Sequence, residues 1–138
     1  MSIQHRIATS FAQQSMMTTL GASLVSADQG QCEIHAPILA SSQQQHGFGH
    51  AGLTFSIGDS AAGYAALSAM PEGYEVLTSE IKINLLAPAQ GELLVARGKV
   101  VKPGKRLVVV TAEVFARTDG KDTLIAILQG TMVPMAPR

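Results

Sequence analysis

The stretch HGFGHAGLTFSIGDSAAGYAA, residues 46–66, decides the fold of this chain. After His50 its residues are apolar or small, with a single charged side chain, Asp59. The larger apolar residues recur at helical spacing and form one stripe: Leu53, Ile57, Tyr64 and Leu67. Proline cannot continue a helix, so Pro71 ends the segment. The pattern predicts a helix over residues 51–70 that is buried at the centre of the molecule.

Strand signals lie on both sides of this helix. Two short strands are predicted before it and four long ones after it, at residues 22–26, 32–39, 75–86, 92–101, 106–117 and 123–134. The turns between the last four carry the Gly, Pro or Asp-Gly of tight reversals, which predicts an antiparallel meander. An amphipathic helix over residues 3–20, stopped by Gly21, precedes them. The expected fold is α+β, with a six-stranded antiparallel sheet curled around the central helix.

Composition limits the class of protein. The chain has 138 residues, which suits one domain over 1–138, and 46% are hydrophobic against 14% charged. Ten basic residues balance ten acidic ones and there is no Trp, which argues against nucleic-acid binding. The lone Cys32 excludes an intrachain disulfide and fits a reducing, cytoplasmic location. Residues 51–70 could span a bilayer by length, but Asp59 and the polar residues among them favour a buried helix over a membrane anchor.

Two motifs near the start of the helix match known binding patterns but do not predict a binding site. Gly47 to Gly52 match GxGxxG, but polar residues precede them and the following strands are antiparallel, so a dinucleotide site is not expected. His46 and His50 are spaced for a shared metal on a helix, yet Gly47 and Gly49 disfavour a helix there. No metal and no cofactor are expected.

Asp59 and the helix start are the features that could carry chemistry. A partly buried carboxylate can serve as a general base or nucleophile, or can simply be satisfied by neighbouring hydroxyls. The free N–H groups of Ala51 and Gly52 suit an oxyanion, although an ordinary capped helix has them too. His50 and Asp59 are nine residues apart, about 13.5 Å along a helix. If both features act on one atom, they must come from two subunits.

The spacing of Gln44, Gly47, His50-Ala51-Gly52 and Asp59 resembles the hotdog-fold acyl-CoA thioesterases of the PaaI-like kind. The resemblance continues through residues 78–89, Gly91-Glu92-Leu93 and residues 101–105, and covers about residues 20–133. It implies a sheet wrapped around the helix and a homodimer made by joining two sheets. It also implies active sites at the dimer interface and allows a homotetramer.

The resemblance also implies roles for individual residues. Asp59 would activate water or attack the thioester carbonyl. The Ala51 N–H, with that of Gly52, would polarise this carbonyl. Gln44 would orient the water or the acyl group, and His50 would hold the loop or assist the leaving thiolate. Thr78, once a one-residue gap is allowed, falls where relatives place a water-orienting hydroxyl.

Two positions depart from the family pattern. Ala51 replaces the first Gly of His-Gly-Gly, which keeps the N–H but adds a methyl group. Ala87 stands where many relatives have a basic residue, which weakens a CoA phosphate contact there. The better CoA contacts are three residues at the turn between the strands predicted at 92–101 and 106–117: Lys102, Lys105 and Arg106.

The function expected from these features is hydrolysis of a small- to medium-chain or aryl acyl-CoA, with no nucleic-acid or membrane partner. Two alternatives stay open at this point. One is a non-catalytic acyl-CoA-binding protein of the same fold. The other is an enoyl-CoA hydratase, although its pattern of Asp and His close together in a loop is not seen here.

Overall fold

A computed structural model describes residues 2–138 as a curved sheet around one long helix. The helices are α1 (Ile3–Gln13), α2 (Ser15–Thr19) and α3 (Ala51–Ser68), with a 3₁₀ turn at Ala40–Ser42. The strands are β1 (Ser23–Asp28), β2 (Gln31–Ala36), β3 (Glu75–Leu85), β4 (Leu93–Pro103), β5 (Val108–Thr118) and β6 (Lys121–Met135). The predicted α+β fold, with its six-stranded antiparallel sheet, central helix and N-terminal helix, is confirmed.

The strand order is β1-β2-β4-β5-β6-β3, and every neighbouring pair is antiparallel. The predicted meander therefore holds for β4, β5 and β6 but is wrong for β3, which pairs with β6 instead of β4. Residues 86–92 do not form a tight turn. The N–H groups of Leu86 and Ala87 still bond to the Ile125 carbonyl on β6, and the Glu92 N–H then bonds to the Arg117 carbonyl on β5. This segment thus moves the chain from the sheet edge to its centre.

Helix α3 is buried on most of its surface because the sheet curls around it. All four residues of the predicted stripe are buried, and Ala61, Ala62, Ala65 and Ala66 are fully inaccessible. The closest approach of helix and sheet is at Gly98 of β4, where a Cβ atom would lie 2.3 Å from the Ala61 carbonyl oxygen. A glycine in the strand, together with alanines in the helix, therefore lets the two backbones pack together. None of the helices in residues 2–138 is long and apolar enough to cross a membrane.

The N-terminal segment forms two helices where the sequence predicted one. The break is at Gln14, which has an extended backbone (φ −83°, ψ 94°). Its side chain bonds to Ser60 and Tyr64 of α3, so tertiary contacts hold the break in place. The fully buried Ile7 anchors α1 on the rest of the molecule.

Candidate active site

The central feature of the site is the pair Asp59 and Thr78. Asp59 lies on the ninth position of α3, partly buried, and Thr78 lies on β3. The Thr78 hydroxyl donates a hydrogen bond of 2.8 Å to Asp59 Oδ1, and the buried Met132 Sδ lies 3.3 Å from the same hydroxyl. The structure therefore brings together the predicted acid and the predicted hydroxyl, two residues that are far apart in sequence.

A β-bulge in β3 directs Thr78 toward Asp59. The register between β3 and β6 shifts between Thr78 and Glu80. On the far side of the shift, Ile81 and Ile83 point inward, and on the near side Val76 packs on the core. Because alternate residues of a strand face opposite sides, only an inserted residue lets Thr78 share the inner face with Ile81. The family resemblance needs a one-residue gap to include Thr78, and this bulge is a one-residue insertion that directly follows Thr78.

The environment of Asp59 changes its acidity. Partial burial raises the pKa of the carboxyl above its ordinary value of 3.8, because the ionised form loses hydration. The hydrogen bond from Thr78 acts in the opposite direction and lowers the pKa, since it stabilises the ionised form. Burial dominates, so Asp59 is a stronger base than an exposed aspartate.

Asp59 opens into a cleft of about 170 Å³ that the N-terminal segment helps to form. Besides Asp59 and Thr78, its polar lining consists of Ser10, Gln14, Ser60, Tyr64 and Glu75. Sequence reasoning missed Ser10, Gln14 and Ser60 as site residues. Ser60 and Tyr64 follow Asp59 on α3, but no spacing signal links Ser10 and Gln14 to them. These two reach the cleft only through the packing of α1 and its junction with α2.

A second group of residues lies at the start of α3. His50 is the N-cap, and its Nδ1 accepts a 2.7 Å hydrogen bond from the Gly52 N–H. The Gly52 N–H is therefore engaged within the chain, contrary to its expected availability for a substrate carbonyl. The hydrogen bonds within residues 2–138 include none from the Ala51 N–H. Of the two amides, that of Ala51 is the available donor.

Gln44 holds the loop that leads into α3. Its side-chain Oε1 accepts hydrogen bonds from the N–H groups of His46 and Phe48, which leaves its NH₂ group as the end that can meet a ligand. Gln44 and Ala51 line a cleft of about 300 Å³ together with Phe48 and Leu85. The glycines of the GxGxxG match serve this loop: Gly47 has a positive φ of 87°, and Gly49 donates to Ala89 at 2.7 Å.

Within one chain the two groups stay apart. The lining of the Asp59 cleft and that of the Gln44–Ala51 cleft have no residue in common. Ala51 and Asp59 are eight residues apart on one helix, about 12 Å along its axis. One protomer therefore does not bring both to the same atom.

The predicted CoA contacts lie at the end of β4 and in the turn between β4 and β5. Lys102, Lys105 and Arg106 are all exposed. The salt bridges found within residues 2–138 use His35, Arg97 and Arg117, so these three cations are not among them. Lys105 lines a cleft of about 380 Å³ beside the C-terminal end of α3.

The comparison with protein families decides the assignment. Residues 46–123, more than half of the chain, match the model of the thioesterase superfamily. The chain belongs to the thioesterase superfamily. The predicted resemblance and the predicted enzyme class, a thioester hydrolase, are thereby confirmed.

Solved structures agree with this assignment. A thioesterase family protein from Silicibacter pomeroyi is 43% identical with a TM-score of 0.92, over 96% of this chain and 97% of that one. The PaaI protein of the E. coli phenylacetic acid degradation operon shares the fold, with a TM-score of 0.86 over 99% and 98% of the two chains, at 23% identity.

A curated relative matches over a shorter region. This protein from Saccharolobus solfataricus, which carries a provisional esterase name, is 37% identical over 86 residues. The match covers 61% of this chain and 53% of that relative, so the chain spans about half of its length.

Proposed function

We propose that the protein hydrolyses the thioester of a small- to medium-chain or aryl acyl-CoA, giving the free acid and CoA. The observation that carries this proposal is the Asp59 carboxylate, partly buried in a cleft and held by the Thr78 hydroxyl at 2.8 Å. Membership in the thioesterase superfamily supplies the reaction class. Hydrolysis of a thioester requires only a base or nucleophile and a stabilised oxyanion, so the proposal includes no cofactor.

The chemistry follows from the positions of these groups. In one route Asp59 takes a proton from water, whose oxygen attacks the thioester carbonyl. In the other route its carboxylate attacks directly, and water then cleaves the resulting anhydride. Either way the C–S bond breaks, the thiolate leaves and takes up a proton, and the acyl carbon gains an oxygen. The Ala51 N–H stabilises the oxyanion, while Thr78 and the Gln44 amide orient the water or the acyl group.

His50 has a positional role in this mechanism. Its Nδ1 is bonded to the Gly52 N–H, which fixes the first turn of α3 and with it the Ala51 N–H. Its side chain is exposed, so its other ring nitrogen is free to reach the leaving thiolate.

The proposal includes a homodimer, because the two halves of the site lie about 12 Å apart on one helix. Two such dimers could pair as a tetramer. Strand β3 ends the sheet, so its outer edge can pair with a second copy. Three large apolar side chains at this edge are more than half exposed: Leu77, Leu85 and Leu86. Joining two sheets there would cover them and place each Asp59 near the partner's helix start.

The substrate's CoA end is assigned to the basic turn. Lys102, Lys105 and Arg106 are exposed, and none of them forms a salt bridge within residues 2–138, so they suit the phosphates of CoA. A cytoplasmic location is part of the same proposal, since acyl-CoA and the reduced form of the buried Cys32 both fit a reducing compartment.

The test is thiol release from a panel of acyl-CoA thioesters. Wild-type protein should release CoA from at least one short, medium-chain or aryl thioester, and Asp59→Asn should lower kcat by about a hundredfold or more. Asp119→Asn is the matched control, because Asp119 lies in the exposed β5–β6 turn and asparagine tolerates its positive φ of 52°. Binding of acyl-CoA without thiol release would favour the non-catalytic alternative, and loss of enoyl-CoA absorbance would favour the hydratase.

A further inference from the structure

The N-terminal segment forms a fixed wall of the Asp59 cleft. Helix α1 is held by the fully buried Ile7 and by Arg6, which donates a 3.0 Å hydrogen bond to the Tyr74 carbonyl. The ring of Phe11 lies 6.1 Å from that of Tyr64 on α3. These contacts position the α1–α2 junction directly beside the cleft.

The surface that this wall presents to the cleft is polar. Gln14 accepts a 3.1 Å hydrogen bond from the Ser60 hydroxyl and donates one of 3.1 Å to the Tyr64 hydroxyl. Tyr64 is bonded in turn to the Ser10 hydroxyl at 3.0 Å. Ser60 is the neighbour of Asp59 on α3. A chain of four hydrogen-bonded side chains therefore begins next to the reactive carboxylate and crosses the cleft wall.

We infer that Gln14 and Tyr64 limit the length of the acyl chain that the enzyme accepts. Their polar wall restricts the substrate to short acyl groups that end before they reach it. The inference rests on the proposed thioesterase function and adds to it a substrate class, short acyl groups. Gln14 and Tyr64 are specificity-determining residues here and take no part in bond making or breaking.

The physical reason is the cost of covering polar groups with alkyl chain. The cleft of about 170 Å³ has room for about six groups of the size of a water molecule. Ser60 and Tyr64 use one N–H and one carbonyl lone pair of the Gln14 amide, which leaves the second N–H and the second lone pair to be hydrated. A longer chain would press methylene groups against this amide and leave that remaining capacity without a partner. Each further methylene group would then weaken substrate binding, whereas contact with an apolar wall would strengthen it.

The experiment measures kcat/KM for straight-chain acyl-CoA thioesters from acetyl to decanoyl. In the wild type, kcat/KM should fall once the acyl chain exceeds about six carbons. In Gln14→Leu the ratio of kcat/KM for octanoyl-CoA to that for butyryl-CoA should rise about tenfold, because the wall becomes apolar. Gln13→Leu is the matched control: Gln13 is exposed, does not line the cleft and should keep the wild-type profile.

Tyr64→Phe is a second variant that removes one hydroxyl with almost no change in volume. It should shift the profile in the same direction as Gln14→Leu, and it keeps the test decisive if Gln14→Leu does not fold. A length profile that is the same in both variants and the wild type would overturn the inference and leave the thioesterase proposal intact. A wild type without thiol release from any acyl-CoA would overturn both.

Discussion

Thr78 reaches Asp59 because β3 bulges between Thr78 and Glu80. Without the inserted residue, the side chain of Thr78 would face the outer side of the sheet and Ser79 would face the helix. Gly130 of β6, opposite Ile81, permits this geometry, because a Cβ atom there would lie 2.4 Å from the Glu80 carbonyl oxygen. The hydrogen bond between Thr78 and Asp59 thus depends on the backbone of two neighbouring strands.

The first prediction concerns the pH dependence of Thr78→Val. The hydrogen bond from Thr78 lowers the pKa of Asp59, so removing it should raise that pKa further. Since the reaction needs the ionised carboxylate, the acid limb of the kcat/KM profile should move to higher pH. Thr78→Ser keeps the hydroxyl and should retain the wild-type limb. An acid limb that stays in place in Thr78→Val would show that Asp59 is not the group that titrates.

The second prediction is that Asp59→Asn stabilises the protein near neutral pH. Asp59 has a raised pKa in the folded state, whereas the unfolded carboxyl keeps its ordinary value of 3.8. The folded state therefore binds more protons between these two pKa values, and the free energy of unfolding falls as pH rises through that range. Asparagine does not titrate, so Asp59→Asn should raise Tm near neutral pH and lose this advantage below about pH 3.8. Thermal melts of both proteins at several pH values, with Asp119→Asn as control, measure the effect.

The sequence was most informative where one residue type dominates a whole element. The apolar run after His50 predicted a central helix, and α3 begins at Ala51 as expected, although it ends two residues before Met70. Alternation and turn residues located the strands, but they carry no information on which strand pairs with which. Strand β3 lies next to β6 because residues 86–92 run along β6 and do not turn back to pair β3 with β4. This path is set by tertiary contacts, which the local sequence pattern does not indicate.

The same limit applies to the site. Asp59 could be proposed because it is the single charge in an apolar helix, and Gln44 and Thr78 because a family pattern fixes their spacing. Gln14 could not, because its place in the cleft depends on a helix break that is held by its own contacts with α3. The sequence also did not indicate the hydrogen bond from the Gly52 N–H to His50 Nδ1. Because of this bond, the Ala51 N–H is the available donor of the two amides.

The third prediction tests His50 as a cap. His50→Ala removes the acceptor for the Gly52 N–H and should lower the free energy of unfolding by about 1 kcal/mol. His50→Asn supplies another capping side chain and should restore most of this stability. Urea unfolding measures both. If His50→Asn is stable but kcat still falls strongly, the imidazole has a role in the reaction beyond capping.

The fourth prediction concerns the basic turn. Replacing Lys102, Lys105 and Arg106 together by serine should raise KM for acyl-CoA about tenfold and leave kcat nearly unchanged, because these groups attract phosphates remote from the reacting bond. The difference in KM between the triple variant and the wild type should be smaller at high salt. Lys121→Ser is the control, since Lys121 is exposed at the start of β6, at the opposite end of the sheet. Equal KM values for the triple variant and the wild type would place the CoA phosphates elsewhere.

The last prediction tests the site shared between two chains, and it uses Ala51→Pro to remove the proposed oxyanion donor. Proline lacks an N–H but is favoured at the first position of a helix, which is where Ala51 lies. The preceding residue, His50, has φ −63° and ψ 145°, a conformation that is well suited to precede proline. Ala51→Pro should therefore fold normally and lose about a hundredfold or more in kcat.

Mixing Ala51→Pro chains with Asp59→Asn chains, by unfolding and refolding them together, distinguishes a shared site from a site within one chain. If each site takes Asp59 from one chain and Ala51 from its partner, a mixed dimer has one site with both changes and one site with neither. Random assembly makes half of the dimers mixed, so activity should recover to about a quarter of the wild-type value. If both residues acted within the same chain, every site would carry one change and no recovery would occur. Refolding each variant alone gives the baseline, and recovery above that baseline requires a dimer whose two chains both contribute to the reaction.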